Sequence, residues 1–445
     1  MDFQNGIAID IGTTTIAFAL VQGGHVATMT SMTNSQCVFG VDASSRIKAA
    51  NEGHGEQLKN ALRKDLAQGM KKLAKQARDT IDEIVITGDA VMLRFLCDDS
   101  TEEFCAPSSV QTPLRTEQKK LGEWIEEDAL VSPDTPVTFL PEVSALVPAC
   151  NETKPGFAIA EDKDMDGHCD EKSNRQTASP VVGADVLAGL FYLKAWEWEK
   201  PCLFMDLGSS AKMIIGDRHC LRALSVDGGP SLEGGKLSCG VGSVDGAICS
   251  VDFQYASPKV KTIGGAEPIG ICGTGALEAL VGMRENGYLD ATGLLREPYF
   301  SEGFPVYSAK SALFNTLAEE MKKDVILTQA DVRELQMTKA TLRSKMEALL
   351  RETGYTYDDI EKVYLAGGFS YRLEVSKAVK VGLIPGELEK KTESVGNASL
   401  GGATEYLLAP ELVGKVEDIK ERITVLSLDE EEGFADDYMR YLFFV

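Results

Sequence analysis

The sequence predicts an α/β chain of two related lobes, and three observations carry that expectation. The stretches GIAIDIGTTTIAFALV (6–21) and CLFMDLGSSAKMIIGD (202–217) share one design: an apolar strand, an Asp, a Gly-hydroxyl-hydroxyl tip and a second apolar strand. Two such hairpins about two hundred residues apart suggest a repeated unit. The third observation is VYLAGGFS (363–370), which reads as a buried strand, a Gly367-Gly368 turn and then a helix.

Along the chain, Ile7–Ile11 reads as a strand, Gly12 as a sharp turn, and Thr14–Val21 as the returning strand. The tip of Gly12, Thr13 and Thr14 offers backbone N–H groups and hydroxyls that can cradle a phosphate. Asp10 beside it can hold Mg²⁺, which prefers oxygen ligands and keeps several waters. An ordinary hairpin with a solvated Asp is the bland alternative. Residues 45–80 are charged and helical in character, and Ile84–Ile86 is a short strand ending in Thr87-Gly88-Asp89.

Residues 150–180 read as a polar surface insertion. Within it Asp162, Asp164, Asp166 and Asp170 fall on Ca²⁺-loop positions 1, 3, 5 and 9. Ser173 stands where the bidentate Glu belongs, which favours a solvated acidic loop over a Ca²⁺ site. A helical pattern from Gly183 to about Glu199 leads into the second hairpin, with Asp206 before Gly208, Ser209 and Ser210. IGICGTGALEALVGM is a Gly-rich turn (Gly273, Thr274, Gly275) opening a helix whose N-terminus can face an anion. Glu278 stands where a dinucleotide fingerprint needs its last Gly, and Pro230 spoils a phosphate-loop reading of GPSLEGGKLS. Residues 1–198 and 199–445 are the expected lobes.

At 445 residues, with 44% hydrophobic and 25% charged residues, the chain fits a soluble protein of two or three domains. A net charge of -23 argues against nucleic-acid and anionic-membrane partners. Asp10 interrupts the N-terminal apolar run and no basic region precedes it, so no signal peptide is expected and the location reads as cytoplasmic. The ten cysteines are then expected as reduced thiols, mostly core filler. No CxxC or C-x₄-C-x₂-C spacing occurs, so no iron–sulfur cluster of its own is expected. His25, His54, His168 and His219 are scattered and suggest no metal site.

Two Asp-Gly-hydroxyl hairpins and a Gly-Gly turn, in this order, resemble the actin–hexokinase–chaperone ATPase superfamily, whose two actin-like lobes clamp ATP between them. FGVDASSRI, VVGADVLAGL, GGPSLEGGKLSCGV, GICGTGALEAL, VYLAGGFS and SVGNASLGGA extend the likeness to the ATPase part of the reductive activators of corrinoid proteins. That resemblance implies ATP and Mg²⁺ as cofactors, with Asp10 and Asp206 flanking Mg²⁺, the tip hydroxyls on phosphates, and Gly367 and Gly368 bracketing the adenosine. It implies a corrinoid methyl carrier as partner, reduced from Co(II) to Co(I). The family's ferredoxin-like domain has no counterpart in this sequence, so the expected electron source is a separate ferredoxin-type donor.

Asp185 reads either as the residue that orients the attacking water or as a helix-dipole charge. Glu233 reads as a loop acid that could approach the ribose or the partner. Departures from the family pattern stand at Ala211-Lys212, where Gly-Glu is usual, and at Asp89-Ala90-Val91, where Asn-Thr-Thr is usual. They leave two alternatives open: a nucleotide-dependent module that binds corrinoid proteins without reducing them, and a small-molecule kinase. The sequence also leaves room for a homodimer.

Overall fold

The structure is a computed structural model that describes residues 5–97, 115–125, 129–143, 182–208, 210–226, 230–254, 258–308, 323–368, 373–426, 428 and 433–444. The insertion with its Ca²⁺-loop aspartates, and Ser209, lie outside the described residues.

The opening hairpin forms as its apolar alternation requires: β1 (Gly6–Ile11) runs antiparallel to β2 (Thr15–Gln22), and β3 (His25–Thr33) extends the meander. The charged stretch becomes α1 (Ala43–Ala49) and α2 (Gly55–Ala74), whose Leu58, Leu62, Leu66 and Leu73 face the sheet core. β4 (Glu83–Gly88) pairs parallel with β1 and leads into α3 (Ala90–Leu96). β5 (Glu117–Lys120) and β6 (Pro136–Phe139) complete a six-stranded sheet of order β3-β2-β1-β4-β6-β5.

α4 (Ala184–Tyr192) then enters the second half. The helix expected as far as Glu199 stops at Tyr192, because Lys194 takes a left-handed conformation (φ 52) and a 3₁₀ turn follows. β7 (Cys202–Asp206), β8 (Ala211–Gly216) and β9 (Leu221–Val226) repeat the opening meander. β10 (Ala247–Asp252), β11 (Lys259–Thr262) and β12 (Gly270–Ile271) form a small sheet against α5 (Gly273–Glu285). The single turn α6 (Tyr299–Glu302) precedes the hairpin of β13 (Phe304–Tyr307) and β14 (Val325–Leu327). The long α7 (Gln329–Thr353) starts at a Thr328/Asp331 capping box.

β15 (Lys362–Ala366), α8 (Val375–Lys380) and β16 (Thr392–Gly396) follow, with both strands parallel to β7 in direction. α9 (Ala398–Leu408), α10 (Gly414–Lys420), β17 (Ile423–Val425) and α11 (Phe434–Tyr441) close the chain. The second sheet has the order β16-β15-β7-β8-β9-β17. Its run β9-β8-β7-β15-β16 repeats β3-β2-β1-β4-β6 strand for strand, with the same parallel and antiparallel pairings. This is the duplicated α/β architecture that the two hairpins foretold.

Two helices join the halves. α4 places Ala184 and Ala188 in the first core, and Val186, Leu190 and Phe191 in a separate core with Phe204 and Tyr364 of the second sheet. α9 comes from late in the chain but buries Leu400, Ala403 and Leu407 in the first core. The two helices cross closely: a Cβ on Gly402 would lie 2.0 Å from the Ala188 carbonyl oxygen, so only Gly fits. This crossing fixes how the strand ends of the two sheets face each other. Among the described residues no helix is long and apolar enough to cross a membrane.

Candidate functional site

Both hairpin tips open on one cavity of about 340 Å³, a usual size for a small-molecule site. Asp10 sits at the penultimate position of β1 and Asp206 at the last position of β7, so the repeat delivers two half-buried carboxylates to one place. Asp89, Asp185 and Glu233 line the same cavity. Asp89 is the N-cap of α3 and accepts from the Val91 amide at 2.9 Å. Asp185 lies in the first turn of α4 and accepts from the Val186 amide at 2.8 Å.

Three of these five carboxylates, Asp10, Asp185 and Asp206, have a raised proton affinity. Burial, then the charge of Asp10, pushes Asp206 up to about 7. Burial also pushes Asp10 up to about 6, although hydrogen bonds from Asn397 and Ser399 oppose it. Asp185 is raised well above the usual carboxylate range, chiefly by burial; the nearby Lys212 opposes the rise and Asp89 and Asp206 add to it.

The α9 N-terminus contributes directly. Asn397 caps the helix through its Oδ1, which accepts from the Leu400 amide at 2.8 Å, while its Nδ2 donates to Asp10 Oδ2 at 2.7 Å. The Ser399 hydroxyl donates to Asp10 Oδ1 at 2.9 Å. These contacts span almost the whole sequence. The segment SVGNASLGGA was legible as a family signature, but no local pattern pairs it with Asp10.

Each tip is held by a buried cation. Arg46, fully buried, donates to the Thr13 carbonyl at 2.6 Å, and Asn34 bonds the Gly12 and Thr14 carbonyls. Lys212, 4% exposed, donates to the Ser210 carbonyl at 2.9 Å and the Ser210 hydroxyl at 2.7 Å. Glu233 spans both tips. Its Oε2 accepts from the Thr14 hydroxyl at 2.7 Å, and its Oε1 lies 3.1 Å from where a Cβ on Gly208 would stand.

The remaining expected residues divide. Gly12, Thr13, Thr14, Gly208, Ser210, Thr274, Gly367 and Gly368 all reach the cavity. Gly367 has a positive φ of 94, and a Cβ there would come within 2.7 Å of Asp206 Oδ1 and the Leu207 carbonyl. Gly273 and Gly275 serve packing: a Cβ on either would lie 1.8 Å from the Leu232 carbonyl or 2.2 Å from that of Ile248. Asp89, Asn397 and Ser399 were not expected; the one local signal was that Asp89 and Asn397 each stand as an N-cap just after a strand. The cysteines are less uniformly core filler than expected: among the described residues Cys202, Cys249 and Cys272 are buried, but Cys37 and Cys220 are exposed, and all are free thiols.

The donor set is all oxygen, which fits Mg²⁺, and the hydroxyl-rich tips fit phosphate. Among the described residues no three His, Cys, Asp or Glu side chains enclose an ion by themselves. An ion here would complete its shell with water and phosphate oxygens, as Mg²⁺ commonly does.

Residues 200–445 match the family described as "C-terminal domain of RACo the ASKHA domain", and residues 5–149 match the "RACo middle region". The chain belongs to the RACo family. It is similar to "Corrinoid activation enzyme RamQ" of Eubacterium limosum, 27% identical over 462 residues that cover 98% of this chain and 69% of RamQ. It also resembles the Methanosarcina barkeri protein named "Co(II) methylated amine-specific corrinoid protein reductase", at 27% identity over 284 residues, 58% of this chain and 48% of that one. Among solved structures it superposes on "Reductive activator for corrinoid,iron-sulfur protein" with a TM-score of 0.81 at 25% identity, over 100% of this chain and 66% of that chain. The chain thus spans 48% to 69% of the length of these proteins. Its fold is the two-lobed, actin-like ASKHA fold.

Proposed function

We propose that this chain is the nucleotide-driven part of a corrinoid activator. It binds Mg·ATP in the cleft between its two hairpins and docks a corrinoid protein. It uses nucleotide turnover to raise the yield of Co(I) from Co(II), with one electron taken from a separate low-potential ferredoxin-type donor. The observation that carries the reading is the convergence of Asp10, Asp206 and both hydroxyl-rich tips on one cavity, in a chain of the RACo family. The names of its relatives support the corrinoid partner.

Asp10 and Asp206 would hold the magnesium ion, largely through water, and the tip backbone N–H groups with the hydroxyls of Thr13 and Ser210 would meet phosphate oxygens. Gly367 and Gly368 leave the turn after β15 bare of side chains, which lets a nucleoside approach the backbone. Bound nucleotide supplies a phosphoanhydride whose hydrolysis is the energy source. Asp185 is suited to orient water and to take up its proton, because α4 presents it to the cavity beside the second tip, where burial raises its proton affinity.

The coupling rests on differential affinity: the ATP and ADP states must bind the corrinoid protein differently for turnover to do work on it. A one-electron gap of 59 mV is a factor of ten. A gap of a few hundred millivolts is therefore on the order of several kcal/mol, within reach of nucleotide hydrolysis.

Calorimetry tests the nucleotide half. Mg·ATP should bind the wild-type chain, and Asp10→Ala should weaken binding about ten-fold or more, since it removes an ion ligand that two hydrogen bonds hold in place. Unchanged affinity in the variant would remove the assignment. A second titration, with corrinoid protein in the presence of ATP and then ADP, should give two different affinities.

A further inference from the structure

We infer that Lys212 is a built-in monovalent cation of the nucleotide site, standing where a site of this donor chemistry would otherwise recruit K⁺ or NH₄⁺. The inference rests on the nucleotide reading for its purpose, but not for its geometry.

The side chain is 4% exposed, yet no Asp or Glu forms an ion pair with it within 4.0 Å among the described residues. Its ammonium instead takes a backbone carbonyl at 2.9 Å and a hydroxyl at 2.7 Å, both from Ser210 at the second tip. Strand register places Lys212 directly opposite Asp206 across β7 and β8. The carbonyl and hydroxyl are hard oxygen donors of the kind that hold an alkali ion, at the edge of a cavity lined by carboxylates. An ammonium group and K⁺ are of similar size.

A tethered charge costs no entropy of capture and cannot exchange with the medium. It balances part of the carboxylate repulsion while leaving the divalent position open. The first tip has a parallel arrangement, with Arg46 on the Thr13 carbonyl. The difference is one of position: Arg46 bonds the Thr13 carbonyl and also feels Asp89 and Glu233, whereas Lys212 stands in register opposite Asp206. The wild-type site should therefore need Mg²⁺ but no particular monovalent ion.

The test is chemical rescue of Lys212→Ala. Mg·ATP affinity and thermal midpoint are measured in choline, Na⁺, K⁺ and NH₄⁺ chloride at equal ionic strength. The wild type should be indifferent to the ion. Lys212→Ala should bind Mg·ATP about ten-fold more weakly in choline, ~1.4 kcal/mol, and should recover most of that loss in K⁺ or NH₄⁺. Its thermal midpoint should rise with K⁺ or NH₄⁺ even without nucleotide, which separates this inference from the nucleotide reading. Lys212→Gln, which keeps a hydrogen-bond donor without charge, should lose affinity without rescue, because its side chain fills the space. A folded Lys212→Ala that loses nothing, or whose loss no cation restores, would show Lys212 to be a strut for the Ser210 tip and overturn the inference. If Lys212→Ala does not fold in choline, folding restored selectively by K⁺ or NH₄⁺ supports it and failure in every salt counts against it.

Discussion

Replacing Asp206 by Asn should stabilise the nucleotide-free protein while abolishing tight Mg·ATP binding, two effects of opposite sign at one residue. In the folded chain this carboxyl is raised from 3.8 to about 7. The folded state therefore holds a proton that the unfolded chain releases, so its contribution is full below pH ~4 and is lost as pH rises towards 7. Above pH 7 the ionised group sits beside Asp10, Asp89 and Glu233 at a net cost. The difference of about three pH units, at ~1.36 kcal/mol each, bounds that cost near 4 kcal/mol. Coupling to Asp10 and partial solvent access reduce the figure to ~1–3 kcal/mol. For a chain of this length that is a rise of ~1–3 °C in thermal midpoint. Thermal unfolding of wild type and Asp206→Asn at pH 5 and pH 8, without nucleotide, reads the effect. The gain should be largest at pH 8, clearly smaller at pH 5, and absent only below pH ~4, where the carboxyl is protonated in both folded and unfolded chains. Calorimetry should show Mg·ATP affinity lost at both. Equal destabilisation at both pH values would mean that Asp206 is a structural hydrogen-bond acceptor, and the argument from carboxylate crowding would fail.

Two other perturbations probe the surrounding shell. Ser399→Ala removes a donor to Asp10 and should raise its pKa above about 6, so that Mg·ATP binding weakens near pH 6–7 and recovers by about pH 8.5 in a calorimetric pH series. Gly402→Ala forces a methyl against the Ala188 carbonyl, must part α4 from α9, and should cost ~1–3 kcal/mol in denaturant unfolding.

The hairpins were legible because they are local: strand alternation, one Gly and a run of hydroxyls sit within sixteen residues each, and their recurrence foretold the duplicated sheets. Gly367 was legible for the same reason, as a Gly-Gly break after an apolar strand. What escaped is long-range. Asn397 and Ser399 reach Asp10 only because α9 crosses α4, and nothing in a window around either shows that crossing. Thr14 and Glu233 meet across 219 positions. Gly273 and Gly275 sit in a sequence that suits an anion-binding turn, but the tight approach of α5 to the Leu232 and Ile248 carbonyls gives them a packing role. The α4 helix ended early because a left-handed Lys194 turns the chain towards β7, and Lys has no local signal for that conformation.

The central claim is that nucleotide in this cleft drives the reduction of a corrinoid. Under anaerobic conditions the chain is mixed with a Co(II) corrinoid protein and a reduced ferredoxin, and the Co(I) absorption band is followed with ATP, with ADP and with neither, for wild type and Asp10→Ala. The account predicts Co(I) only with ATP, donor and wild-type chain together. Co(I) formed equally without ATP or by Asp10→Ala, or binding of the corrinoid protein without Co(I) from any donor, would contradict it.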